Sequence, residues 1–171
     1  TATITRNLSS HLFDGLFNTD LKFAPKLELA ESYEMRKDGK AATFKLRQGS
    51  PFHNGKEMTS ADVVASLRRF CSLGNRGKTI GARLEELKAR DKYTVVMTFK
   101  PASGRLPLFL GHQEEIIMPE EIATRYMKEQ LKEFVGTGPF KFVERQPDRF
   151  TKLARFDSYV PRPGAPDGRV G

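Results

Sequence analysis

Tryptophan is absent from this chain of 171 residues, and cysteine occurs once, at Cys71. A single thiol excludes an internal disulfide framework, and it leaves open whether the chain belongs to the cytosol or to an oxidising compartment. No apolar run approaches the roughly 20 residues needed to cross a bilayer. Thr1 to Arg6 have neither the charged start nor the apolar stretch of a signal peptide. Histidine is also scarce: His11, His53 and His112 have no mutual spacing that sets two of them on one helix face, and no second cysteine accompanies them. A protein-made zinc site is therefore unsupported. Internal repeats and low-complexity tracts are missing too.

What is present fits one globular domain with a real core: 38% of residues are hydrophobic and 29% charged. Lys and Arg total 29 against 21 acidic residues, a net charge of +8. Such a balance raises the question of nucleic acid, but the charges alternate in sign, as in Glu85-Glu86-Leu87-Lys88-Ala89-Arg90-Asp91-Lys92. A duplex-binding face needs a one-signed stripe that displaces counterions from phosphates, so no nucleic-acid partner is expected. The chain opens on Thr1 rather than Met and closes on the linker-like Pro166-Asp167-Gly168-Arg169-Val170-Gly171. Both features predict a fragment.

Leu8, Leu12, Phe13, Leu16 and Phe17 recur at helical spacing, which predicts an amphipathic helix from after Thr5 to near Asn18. Pro25 then forces an extended connection. Alternation in Thr43-Phe44-Lys45-Leu46-Arg47 predicts a half-buried strand entered from a hairpin at Lys37-Asp38-Gly39-Lys40. Thr59 and Asp62 read as a capping-box-like start, and Val63, Val64, Leu67, Phe70 and Cys71 form one apolar stripe of a helix that stops at Gly74. Leu84 to Arg90 is rich in helix formers, while Tyr93, Val95, Met97 and Phe99 share one face of a strand. A helix from Pro119 to Gly136 and two strands, Phe140 to Glu144 and Phe150 to Phe156, complete the pattern. Strand and helix do not alternate regularly, so the expected class is α+β, with a mixed sheet and flanking helices.

The motifs that would carry chemistry fail on inspection. Gly74-Asn75-Arg76-Gly77-Lys78-Thr79 ends like a phosphate loop, but only two residues separate its glycines and Ser72 stands where the first glycine belongs. A phosphate loop needs four, so that successive amides wrap the anion, and it follows a strand rather than a helix. A flexible surface loop is the expectation there. Cys71 lies on an apolar helix stripe, where burial makes a thiol inert. Glu114-Glu115 and Glu120-Glu121 are sequence neighbours that point different ways; the first reads as a loop edge and the second as a response to the helix dipole. Nothing here requires an enzyme, a metal or a cofactor.

Four stretches, in this order, carry a resemblance: Leu12-Phe13-Asp14-Gly15-Leu16; Leu29-Ala30-Glu31-Ser32-Tyr33 with Asp38-Gly39-Lys40 and Thr43 to Arg47; Phe52-His53-Asn54-Gly55-Lys56 with Thr59-Ser60-Ala61-Asp62-Val63; and Gly136-Thr137-Gly138-Pro139-Phe140 with Arg155-Phe156-Asp157-Ser158-Tyr159. Together they resemble extracellular solute-binding protein family 5, the binders of dipeptides, oligopeptides, nickel chelates and opines. The resemblance implies a bilobal, type II periplasmic-binding fold. Residues 1–171 would be a piece of its first lobe, including the smaller subdomain, with the second lobe absent. It implies the substrate-binding component of an ABC importer, periplasmic or a membrane-anchored lipoprotein, monomeric. Such a component would deliver a peptide, opine, chelated metal or sugar to permease subunits. A ligand-sensing or interaction domain on the same scaffold is the alternative.

By matching motif positions, the resemblance puts Thr1, Thr3, Arg76, Lys78, His112, Gln113, Gly136, Thr137 and Gly138 on the ligand-facing surface. Arg76 and His112 would suit a ligand carboxylate, Arg76 through a bidentate contact, with a solvated surface as the competing reading for both. Gly136 and Gly138 leave main chain open to a ligand, or simply reverse the chain before Pro139. Here the sequence departs from the family: His53 stands where tryptophan or serine is common. With no tryptophan at all, any aromatic shelf must come from Phe, Tyr or the missing lobe.

Overall fold

Period-two patterning puts Phe44 and Leu46 on one face of a strand. The structure, a computed structural model that describes residues 8–73, 75–147 and 149–164, buries both. They belong to β4 (Ala41–Leu46), which pairs with β3 (Ala30–Met35) so that Phe44 faces Tyr33. The connecting turn is made by Asp38, whose Oδ1 accepts from the Lys40 amide at 2.9 Å, and by Gly39, whose φ of 69° favours glycine. β4 pairs on its other edge with β6 (Thr94–Phe99), and β6 with β5 (Leu84–Asp91), so the sheet runs β3-β4-β6-β5. Two ribbons stand apart from it: β1 (Phe17–Thr19) with β2 (Pro25–Leu27), and β7 (Phe140–Gln146) with β8 (Phe150–Arg155). Every pairing among the described residues is antiparallel, within the α+β class expected from the sequence.

The long helix α1 (Ser60–Leu73) starts where the sequence puts it. Thr59 donates to Asp62 Oδ2 from both its amide and its hydroxyl, each at 2.8 Å. The other oxygen of Asp62 accepts from the Glu120 amide at 2.9 Å and from Lys56 Nζ at 3.1 Å. One buried carboxylate thus caps α1 and fixes the start of α4 (Glu120–Arg125), which follows the short helix α3 (Leu106–Leu110). The helix separates two apolar clusters. Val63, Val64, Leu67 and Phe70 pack with the sheet residues Phe44, Val95, Met97 and Phe99. Ala65 packs instead with Leu12, Phe13, Met118, Ile122 and Tyr126. Each fully buried Phe in the first cluster contributes about 1.5–3 kcal/mol of transfer free energy.

Tertiary partners overrule local pattern in four places. Among the described residues the first helix covers only 8–12, and Phe17 and Asn18 lie in β1, not in a helix reaching Asn18. The Leu16 amide donates to Glu115 Oε2 at 3.0 Å, and the Leu16 carbonyl accepts from the Glu28 amide at 2.9 Å, so neither is available for a helical ladder. Leu84 to Arg90, rich in helix formers, is strand β5, because the Asp91-Lys92 turn lays it along β6. The expected loop at Asn75 to Thr79 is the helix α2 (Asn75–Gly81), packed so closely that a Cβ on Gly77 would lie 2.0 Å from the Phe70 carbonyl oxygen. The helix expected to run to Gly136 ends at Arg125. There Arg69 binds the Tyr126 carbonyl at 2.9 Å and the Glu129 carbonyl at 3.0 Å, and Leu131 and Phe134 reach the second cluster from non-helical chain.

Candidate functional site

The Gly136-Thr137-Gly138 turn is buried, and both glycines and the Thr137 hydroxyl are hydrogen-bonded within the protein. Its carbonyl at Gly136 accepts from the His53 amide at 2.9 Å. The Gly136 amide donates to His53 Nδ1 at 3.2 Å, and His53 Nε2 lies 2.9 Å from the Gly138 carbonyl oxygen. One imidazole therefore spans the turn as acceptor at Nδ1 and donor at Nε2, a neutral tautomer. Burial, first of all, holds its pKa below the ordinary histidine value. Gly138 donates to the Leu12 carbonyl at 3.1 Å, and Thr137 Oγ1 to Asp14 Oδ2 at 3.1 Å. The glycines here permit close approach of two backbones: a Cβ on Gly136 would lie 2.1 Å from Leu12 O.

His112 and Gln113 are half-buried and line a small pocket with Ser9, Ser10, Asn18 and Glu115. Glu115, read from sequence as part of a loop edge, is only 3% exposed. Its Oε2 takes the Leu16 amide, and burial holds its carboxyl well above the usual range, against the lowering effect of that bond. Glu115 is thus the residue of this pocket that the sequence reading missed. One signal was available: Glu115 and Ile117 alternate with half-buried Ile116, so period two turns Glu115 inward with Ile117.

The remaining predicted residues lie elsewhere. Arg76 and Lys78 project, exposed, from α2, and among the described residues no hydrogen bond or ion pair joins them to the His112 pocket. Thr1 and Thr3 lie outside the described residues. A separate hollow of about 450 Å³ is lined by Leu27, Glu28, Ala30, Arg47, Gln48 and Arg162. There Arg47 clamps the chain after β8, donating to the carbonyls of Val160 at 3.0 Å and Pro161 at 2.7 Å. No three His, Cys, Asp or Glu among the described residues cluster so as to hold a metal ion. No helix among them is long and apolar enough to cross a membrane.

Comparison with known proteins matches residues 24–169 to the bacterial extracellular solute-binding proteins, family 5. The chain is 34% identical over 173 residues to a probable peptide ABC transporter periplasmic-binding protein, y4tO, of Sinorhizobium fredii, a match that covers 100% of this chain and 33% of that protein. It is 30% identical to the glutathione-binding protein GsiB of Escherichia coli, covering 96% of this chain and 32% of that one. Among solved structures, the periplasmic binding protein AgaA of A. tumefaciens R10, in complex with agropinic acid, is 33% identical with a TM-score of 0.80, over 92% of this chain and 32% of that chain. The oligopeptide-binding protein AppA of Bacillus subtilis, in complex with a nonapeptide, is 31% identical with a TM-score of 0.77, over 90% and 32%. The chain spans about a third of the length of the curated relatives it matches. These relatives are binding proteins of transporters, not enzymes, and the α+β fold is that of part of their bilobal architecture. By its family match and its sequence, the chain belongs to the family 5 bacterial extracellular solute-binding proteins.

Proposed function

We propose that this chain is part of the substrate-binding component of an ABC importer, one that captures a small, peptide-like solute in a cleft between two lobes and hands it to a membrane permease. In this reading the protein works in the periplasm, and the chain supplies part of the first lobe, its smaller subdomain included. The observation that carries the reading is the match along nearly the whole chain, above 30% identity, to two binding proteins holding small ligands, one a nonapeptide and one an opine. Lobes of such a protein close about a hinge, and each lobe supplies part of the contacts. The isolated chain therefore binds solute weakly, because most of the free energy that offsets the cost of association is missing.

Within this reading the ligand-facing surface includes His112, Gln113 and the neighbourhood of the Gly136 to Gly138 turn, with Arg76 and Lys78 at the periphery. The amides of Gly136 and Gly138 are already engaged, which favours the pocket at His112 as the point of contact. The test is a thermal-shift screen of the full-length protein against pools of peptides, opines, chelated metals and sugars. A ligand present at 100 times its Kd stabilises the native state by about 2.7 kcal/mol. Stabilisation by a peptide pool is the expected result. A protein unmoved by every pool would sink the proposal.

A further inference from the structure

We propose that the hollow between α2 and α3 binds an organic oxyanion, a carboxylate or phosphate carried on an apolar body, with Arg83 and Arg105 as its anion clamp. This goes beyond the solute-binding function proposed above and does not depend on it, since the hollow shares no lining residue with the pocket at His112. Its volume is about 390 Å³, within the range of roughly 300–1,000 Å³ typical of small-molecule sites. Arg83 and Arg105 line it together with Thr79 and Ser103, while Ile80 and Phe109 supply apolar wall. Among the described residues that line it, none is acidic.

Charge selects the ligand. Arg36, Arg125 and Arg155 each have a carboxylate partner within the protein, at Asp38, Glu133 and Asp157. No carboxylate pairs with Arg83 or Arg105 among the described residues; Arg83 makes one long bond, from Nη1 to the Ala102 carbonyl at 3.3 Å. Two guanidinium groups bordering one space repel each other, and a single anion between them turns that repulsion into two attractions. Each guanidinium presents a planar fork of donors that fits the paired oxygens of a carboxylate or phosphate. Ser103, a buried residue in the same wall, adds a hydroxyl. Half-buried Phe109 offers apolar area that a bare inorganic ion would leave uncovered, which points to an anion with an organic body.

The main chain that carries the clamp is fixed on both sides. The Arg83 carbonyl accepts from the Lys100 amide at 2.7 Å, and the Ser103 amide donates to the Gly39 carbonyl at 2.9 Å. α2 itself sits hard against α1, where a Cβ on Gly81 would lie 3.0 Å from the Cys71 carbonyl oxygen. Little backbone ordering therefore opposes binding.

The experiment titrates four probes into the full-length protein by calorimetry: phenyl phosphate, benzoate, inorganic phosphate and benzyl alcohol. At least one of the two organic anions is expected to bind at least about tenfold tighter than inorganic phosphate, which lacks the ring, and than benzyl alcohol, which lacks the charge. The tighter of the two assigns the oxyanion as phosphate or as carboxylate. Arg105→Gln removes one arm of the clamp and is expected to weaken the organic anion at least about tenfold. Gly104→Asp reaches the same hollow by another route: a Cβ there meets no described atom within 4 Å, so the variant is expected to fold, and it sets a competing carboxylate next to Arg105. It too is expected to weaken the organic anion at least about tenfold. Inorganic phosphate binding as tightly as the organic anions would overturn the assignment of an organic ligand. Unchanged binding in either variant would put the probes elsewhere on the protein and overturn the site, as would binding of no probe. The solute screen stands or falls separately, on its own pools.

Discussion

The Thr137 hydroxyl donates to Asp14 Oδ2 at 3.1 Å across 123 positions of sequence, and both residues are buried. Asp14 also accepts at its carbonyl from the Ile117 amide at 3.0 Å. Three segments therefore meet at one aspartate: the strip that follows the first helical residues, the approach to α4, and the glycine turn before β7. Burial pushes the Asp14 carboxyl from the ordinary 3.8 up to about 6, opposed by the Thr137 hydrogen bond and by the charge of Arg47.

A raised carboxyl has a definite sign in stability. The folded state holds the Asp14 proton more tightly than the unfolded chain, so the stabilisation is present in full below pH 3.8 and is lost as pH rises through about 6. A shift of about two units corresponds to about 3 kcal/mol. Asp14→Asn cannot ionise and still offers an oxygen to Thr137. Its stability relative to the parent chain is expected to rise by about 2.5 kcal/mol between pH 4 and pH 7 in urea unfolding. His53, whose lowered pKa works the opposite way, is common to both proteins and cancels in the difference. A difference that stays flat across this range would contradict a raised Asp14.

His53 is predicted to be the structural clasp of the glycine turn. Its ring bonds to both Gly136 and Gly138 and stands edge-on to Phe156, with centroids 5.0 Å apart and planes at 78°. His53→Ala removes two hydrogen bonds and an aromatic contact, an expected loss of about 2–3 kcal/mol. The sharper readout is hydrogen exchange, in which the Gly136 amide should lose protection while amides in β6 keep theirs. Equal protection in both proteins would mean that the turn holds itself.

How much of this was legible depended on where the deciding partner lay. β4, α1, β7 and β8 are written locally, in a two-residue alternation, a capping Asp62 and breaks at Pro and Gly, and they form where that pattern puts them. β5 is decided by the edge of β6, α2 by the Phe70 carbonyl, and the end of the first helix by Glu115, all remote or out of pattern. The site divides the same way. His112 and Gln113 were named as candidates by resemblance, and the structure puts them in one pocket; the carboxylate beside them was hidden in an ordinary Glu-Glu pair until burial separated the two. His53, read as a departure from the family pattern, proves to hold the turn that the pattern contains.

Backbone contact at Gly136 gives a test with an internal control. A Cβ there would fall 2.1 Å from Leu12 O and 2.5 Å from a Phe13 ring carbon, and a main-chain neighbour cannot step aside as a flexible side chain can. Gly136→Ala is expected to destabilise by about 3 kcal/mol, at the upper end for overpacking. Gly104→Ala introduces a methyl that meets nothing within 4 Å and should change stability by less than about 0.5 kcal/mol. Chemical denaturation of the two variants decides the matter: similar effects would show that the close approach of Leu12 and Gly136 is not a constraint.

Cys71 supplies the last prediction. Burial first, and the charge of Glu115 second, raise its thiol from 9.0 to about 11. At pH 8 the thiolate fraction is then about one in a thousand, against about a quarter for an ordinary thiol with a pKa near 8.5. Alkylation by iodoacetamide should accordingly run at least about a hundredfold slower in the folded protein than in urea. Glu115→Gln removes one of the two causes, so it should speed the native reaction without unfolding the chain. A native rate equal to the unfolded one would mean that Cys71 stands open to solvent. An unchanged rate in the Glu115→Gln variant would mean that the carboxylate and the thiol do not sense each other across the end of α1.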